Sequence, residues 1–282
     1  SMVLGIDELL QASGCDLWLD TQLIDAETAG DRVTAVRVAN KSGIGRLEAA
    51  VFVDASGDAD VAFFAGADCP VAANALASWT LEYSKQESGA VLAPGIRASI
   101  VGGSTDPDFT EPGVSGRMVS DFVMAGRERY RRQLAEAYAS GAADRFGRFP
   151  LKLPAMPDLR HTRRIDGAFT LQPGMEWRAF EDSVGVCADW RCCGKVWELP
   201  YRSLLPKTLS NVLAAGRCIS SEGDAWEVTR VIPVAALTGE AAGAAAALAA
   251  ERRTTAAELP YAEVQQAMRK AGNPTRIAEL YP

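Results

Sequence analysis

Val51-Phe52-Val53-Asp54-Ala55-Ser56-Gly57-Asp58-Ala59-Asp60-Val61-Ala62 is the stretch on which the fold turns. A short apolar run ends in an acidic residue, passes through small residues and runs on toward Ala65-Gly66-Ala67. That order predicts a strand buried on both faces, a tight turn and a helix. Small side chains let a backbone approach a ligand, and a helix N-terminus favours an anion there. A plain strand-to-helix turn capped by aspartates has the same pattern, so these residues alone leave both readings open.

A second stretch repeats the theme. Asn211-Val212-Leu213-Ala214-Ala215-Gly216 reads as another buried strand that delivers a glycine to its carboxyl end. Open α/β sheets place their ligands at that end of their strands. An alanine-rich helix is predicted from about Pro233 to Ala250, because Pro is favoured in a first helical turn. Its N-terminus, carrying roughly +0.5 charge, points back toward the same crevice. Gly239-x-x-x-Gly243 lets the helix lie close against its neighbours.

Outward from these anchors, Ile6 to Ala12 reads as the end of a helix capped by Gly14. Asp16–Asp20 and Leu23–Ala26 read as short strands, and Arg32–Ala39 as a strand between turns at Gly30-Asp31 and Lys41-Ser42-Gly43. A last helix is predicted over about Tyr261–Ala271, between Pro260 and Gly272. Residues 71 to 204 have a different texture, punctuated by Gly, Pro and Ser. Within them Arg117–Ser140 is amphipathic, with Met118, Phe122, Tyr130, Leu134 and Tyr138 on one stripe. Two buried strands so far apart predict a split α/β domain, 1–70 plus 205–282, with 71–204 inserted as a second domain.

The net charge of −7 argues against nucleic-acid or anionic-membrane partners, which need a basic surface. Val231–Ala250 carries one charge, Glu240, which would cost about 2.5–3.5 kcal/mol in mid-membrane, so a buried soluble helix is expected. Cys15, Cys69, Cys187, Cys192, Cys193 and Cys218 include no C-x-x-C pair. They read as reduced thiols of a cytoplasmic protein, with no metal site. Trp190 and the Cys192-Cys193 pair read as packing residues, and no G-x-S-x-G elbow follows a strand.

The stretch Asp54–Ala67 and the block Asn211–Ser220, Thr229-Arg230-Val231-Ile232-Pro233, Gly239-Glu240-Ala241-Ala242-Gly243 together resemble the FAD-dependent oxidoreductase family, whose relatives include fumarate-reductase-like flavoproteins. The resemblance covers residues 4–70 and 195–272, and continues more weakly through Arg160–Arg202. It implies an α/β fold: an incomplete Rossmann-like FAD-binding domain with an inserted α+β substrate or cap domain. It implies that Asp54, Ser56, Gly57 and Asp58 serve the FAD phosphates or ribose. Gly216 and Arg217 would lie along the pyrophosphate and ribityl chain. Arg230, Val231 and Pro233, with the helix they start, would face the isoalloxazine ring and stabilise negative charge on the reduced flavin.

One departure from the family stands out. Its members open with a strand, G-x-G-x-x-G and a helix; the near match here, Gly43-Ile44-Gly45-Arg46-Leu47-Glu48, lacks the third glycine and sits in a hairpin. The expectation is a truncated piece of a longer protein, or one completed by an N-terminal flavin-binding partner. Without the phosphate-holding N–H groups of that loop, FAD binding by this chain is expected to be weak or absent. An uncovered apolar crevice would then favour self-association.

Arg160-His161-Thr162-Arg163-Arg164-Ile165-Asp166-Gly167 resembles the family's R-x-T-R-R-I-x-G motif. Arg163 and Arg164 could hold a substrate carboxylate through paired hydrogen bonds, and His161 could move a proton. The same arginines could instead pair with acidic neighbours. Two functions follow: an oxidoreductase moving a hydride between FAD and a small organic, carboxylate-bearing substrate, or a non-catalytic fragment that acts by association.

Overall fold

In the computed structural model, residues 2–72, 74–75, 78–85, 90–102, 110–111, 113–155 and 160–281 are described. An N-terminal helix, α1 (Met2–Ser13), ends at Gly14, whose φ of 69° suits a left-handed cap. Asp16–Asp20 forms no strand: among the described residues no neighbour pairs with it, Asp20 turns to φ 50°, and Leu17, Trp18 and Leu19 are exposed. A meander follows, β1 (Gln22–Ala29), β2 (Arg32–Asn40) and β3 (Gly43–Glu48), turning at Gly30 and Gly43. Val33, Ala35, Val36 and Val38 of β2 face the core. The glycine pair Gly43/Gly45 lies in β3, antiparallel to β2, and opens no helix.

After β4 (Phe52–Asp54) and the short α2 (Asp60–Phe64), the chain builds a second sheet. A two-residue pair, β5 (Asn74–Ala75) and β9 (Thr110–Glu111), stands beside it in sequence. β6 (Ser78–Ser84), β7 (Ala90–Ala93), β8 (Ile96–Gly102) and β10 (Arg148–Lys152) form the sheet, in the antiparallel order β10-β6-β8-β7. α3 (Gly116–Ala139) packs on β6 and β8, burying Phe122, Val123, Gly126 and Tyr130. Ser115 caps it, its hydroxyl accepting from Met118 N at 3.2 Å.

The inner face of β6 is polar: Ser78, Thr80, Glu82 and Ser84 are all buried. The Glu82 carboxylate has no solvent exposure. Its Oε1 accepts from Arg97 Nε (2.6 Å) and Ser99 Oγ (2.7 Å), and its Oε2 from Tyr130 OH (2.7 Å) and Arg148 Nε (3.0 Å). Burial alone would raise its pKa, but these four donors outweigh burial and hold it below the usual carboxylate range.

The chain then returns through the hairpin β11 (Ser183–Ala188) and β12 (Val196–Pro200) to β13 (Val212–Ala214). Three helices complete it: α4 (Gly223–Thr229), α5 (Ile232–Arg252) and α6 (Tyr261–Lys270). β13 runs parallel to β4, pairing Val212 with Phe52, Leu213 with Val53 and Ala214 with Asp54. All three residues of β13 are fully buried. β4 is buried on one face only; Phe52 and Asp54 point in, while Val53 is 37 % exposed. Asn211 clasps the meander to this pair, accepting from Val33 N (2.9 Å) and donating to Val33 O (2.8 Å) and Ala50 O (3.1 Å).

α5 lays Val234, Thr238, Ala241, Ala242, Ala245 and Ala249 into the core, against β4, β13, β11 and α6. Among the described residues it alone is long and apolar enough to cross a membrane. Its outer face, Ala236, Glu240, Gly243 and Ala247, is exposed. The core also takes in Ile165, Val184, Tyr201 and Leu204.

Candidate functional site

The parallel pairing of β4 with β13 brings the two sequence anchors side by side. Ala215 N donates to Asp54 O at 2.9 Å, so the turns that leave both strands emerge next to each other. The first turn is built on its own side chains. Asp54 Oδ1 accepts from Ser56 N (3.2 Å) and Ser56 Oγ (2.6 Å), and Oδ2 from Ala62 N (3.1 Å). Ser56 Oγ in turn accepts from Asp60 N at 2.9 Å. Asp54 and Ser56 are therefore engaged inside the turn, and they present the backbone of Gly57 and the side chain of Asp58.

Gly57 has a φ of 79°, and a Cβ there would lie 2.8 Å from Arg217 Cζ, so the two turns share one cleft. Gly216 (φ 75°) donates its N–H to Thr238 Oγ1 at 2.9 Å and sits over the first turn of α5. No side chain caps that helix; Val231 stands extended before it and Pro233 lies in its first turn. Arg230 is tied back to Glu227, Nε to Oε2 at 2.9 Å.

Asp58 is where all three motifs meet. Its carboxylate accepts from Arg217 Nη2 (2.7 Å) and from Thr162 Oγ1, and its carbonyl accepts from Arg163 Nε (3.1 Å). Arg163 also pairs with Asp60 at 2.7 Å and lies 4.0 Å from the Phe63 ring centroid. Burial raises the Asp60 pKa, with Arg163 opposing. Arg164 pairs with Glu222 at 3.2 Å and donates to Ile165 O (3.1 Å) and Ser220 Oγ (3.3 Å). Arg163 and Arg164 thus both pair with acidic neighbours.

His161 stands apart from that ion-pair cluster. Its Nε2 is 3.2 Å from Glu227 Oε1, and its ring centroid is 4.8 Å from that of Trp226. Burial lowers its pKa below the ordinary histidine value; Glu227 opposes this, while Arg230 and Arg160 add to it. Thr162, Glu222, Trp226 and Glu227 are the site residues that motif reading misses. Thr162 lay within a quoted motif; the other three carry no spacing signal, because α4 is only seven residues long.

A family profile described as FAD dependent oxidoreductase matches residues 2–80 and 86–268. The chain belongs to this family. No curated protein matches the chain in sequence. Among solved structures it is similar to OxyS anhydrotetracycline hydroxylase from Streptomyces rimosus, with 15% identity and a TM-score of 0.44. That similarity covers 94% of this chain and 45% of the hydroxylase, so the chain spans less than half the length of that structure.

FAD is the cofactor of the family, and one observation tests whether these residues fit it. Arg217 Nε is buried and has no hydrogen-bond partner among the described residues, while Nη2 is held by Asp58. A buried unsatisfied donor on a cation, between two glycine turns at strand carboxyl ends, fits a phosphate-bearing ligand. The close approach of Gly57 to Arg217 also gives a prediction. Gly57→Ala loses more stability in urea than the control Gly66→Ala. Both have φ near 80°, but only Gly57 has a neighbour within 4 Å of the new Cβ. Backbone strain alone is expected to cost about 1 kcal/mol, with about 1 kcal/mol more at Gly57. Equal losses would show that Arg217 yields freely.

Proposed function

We propose that this chain carries part of a flavin site and that the protein transfers a hydride between FAD and a small organic substrate. The unsatisfied Arg217 Nε, at the junction of the Gly57 and Gly216 turns, supports the reading. Arg217 and the backbone of Gly57 and Gly216 would hold the cofactor's phosphates. Arg230, Val231 and Pro233 would line its ring at the entry to α5. Bound FAD supplies the hydride chemistry, and the protein aims it. Asp54 and Ser56 shape the turn, Asp58 orients Arg217, and Arg163 and Arg164 lock the substrate-side segment onto it.

In this reading residues 1–70 and 205–282 form a Rossmann-like flavin-binding part and 71–204 an inserted α+β cap, in a cytoplasmic protein. The cap's own sheet is β10-β6-β8-β7 with α3, while Ile165, Val184, Tyr201 and Leu204 pack into the same core as β4 and β13. Acidic partners already hold Arg163 and Arg164, so a substrate carboxylate would need to displace Asp60 or Glu222.

A second reading is favoured by what lies uncovered. Val3, Leu4, Ile6 and Leu9 of α1, Val53 of β4 and the outer face of α5 are exposed, and among the described residues β4 pairs only with β13. Such surfaces suit a further covering segment, a partner or a second copy, in which case this chain acts by association.

Titration with FAD, followed by the visible flavin bands and by tryptophan fluorescence, tests both. The expected result is saturable binding with a dissociation constant above about 10 μM, abolished in Arg217→Ala. Stoichiometric yellow protein on purification would overturn the partial-site reading, and no saturation at any FAD concentration would overturn the site.

A further inference from the structure

α4 carries a carboxylate that belongs to none of the three motifs. Glu227 Oε1 lies 3.2 Å from His161 Nε2, and Oε2 accepts from Arg230 Nε at 2.9 Å. The Glu227 carbonyl accepts from Trp190 Nε1 at 3.0 Å, which ties it to the tip of the β11–β12 hairpin. Trp226, beside it, lies against the imidazole with the two rings tilted by 57°, and donates its Nε1–H to Arg217 O at 2.6 Å. The substrate-side segment, the hairpin tip and the entry to α5 thus converge on two consecutive residues.

His161 Nε2 is shut off from solvent, so water does not compete for it. A carboxylate at this distance favours the imidazolium over the neutral ring. Among the described residues, the other charged groups acting on the ring are Arg230, at the end of α4, and Arg160, on the histidine's own segment. Both oppose the carboxylate, and so does burial.

We propose that Glu227 is a positioning residue of the site, orienting the His161 imidazole and anchoring Arg230 at the entry to α5 through one carboxylate. Its purpose rests on the flavin-site reading above, because it ties the group able to carry a proton to the helix start assigned to the cofactor ring. Displacing the carboxylate therefore disturbs both.

The chain has one histidine, so its imidazole gives a single unambiguous NMR signal. The test is a pH titration of that signal in the wild-type chain, Glu227→Gln, Glu227→Asp and Arg230→Gln. In Glu227→Gln the midpoint is expected to fall by about one pH unit, a roughly tenfold loss of proton affinity. Glu227→Asp is expected to recover at least half of that fall. Arg230→Gln, which removes an opposing cation and releases the carboxylate, is expected to raise the midpoint.

An unchanged or raised midpoint in folded Glu227→Gln overturns the proposal. If that variant does not fold, Arg230→Gln carries the same test, and a midpoint that does not rise overturns it. No flavin enters these measurements. A failed FAD titration with the shifts as stated removes the flavin reading alone, and binding of FAD without the shifts removes this proposal alone.

Discussion

Replacing Glu82 by Gln is expected to lower the unfolding free energy by about 3–5 kcal/mol, the range for removing one partner of a buried ion pair. The isosteric amide leaves Arg97 and Arg148 without their shared anion and turns an NH₂ group toward donors that need an acceptor. Urea unfolding followed by circular dichroism gives the size of the loss. The carboxyl's pKa is held below its unfolded value, so its stabilisation is present above the unfolded pKa and is lost as pH falls through the folded one. The wild type should therefore show an acid-induced loss of stability that is shallower in Glu82→Gln. A variant within about 1 kcal/mol of wild type would mean that the polar face of β6 is solvated rather than packed.

Asp54→Ala should be nearly as damaging, and it bears on the site itself. The carboxylate is fully buried and accepts Ser56 N, Ser56 Oγ and Ala62 N. Removing it strands two backbone N–H groups and a hydroxyl, for an expected loss of about 2–4 kcal/mol. Asp54→Asn keeps an acceptor toward Ser56 and should lose about half as much. The functional effect follows from geometry: without Asp54 the turn no longer presents Gly57 and Asp58 to Arg217. FAD affinity is then expected to fall at least tenfold in any form of the protein that binds it. Unchanged affinity in a folded Asp54→Ala would separate this turn from the cofactor.

The sequence made the central strands and their helices legible because their signals are local. Alternating Val residues in β2, the run Val212–Ala214, and Pro233 at the entry to α5 each act within a few residues, and the structure places elements there. The cleft was legible too, because both strands deliver a glycine to the same end of a parallel pair. What failed to show was decided at long range. β6 reads poorly because its buried face carries Ser, Thr and Glu, and that polarity is tolerable only once Arg97, Arg148 and Tyr130 arrive from elsewhere. Asp16–Asp20 had strand-like residues and no neighbour to pair with. The arginine motif stood out as a concentration of charge, yet only the fold could show that Asp60 and Glu222 pair with Arg163 and Arg164.

The Asn211 clasp has a consequence for how the chain is made. Its amide joins positions 178 and 161 residues apart, and β13 meets β4 across a similar span. Closing so long a loop comes late, because the entropy lost in bringing distant segments together precedes any gain from their contact. On the ribosome the meander must wait for residues 211–214 to emerge before its inner valines are covered. Folding of the centre thus waits for the segment around Asn211, and the interval before closure is when the chain is most open to chaperones, proteases and aggregation.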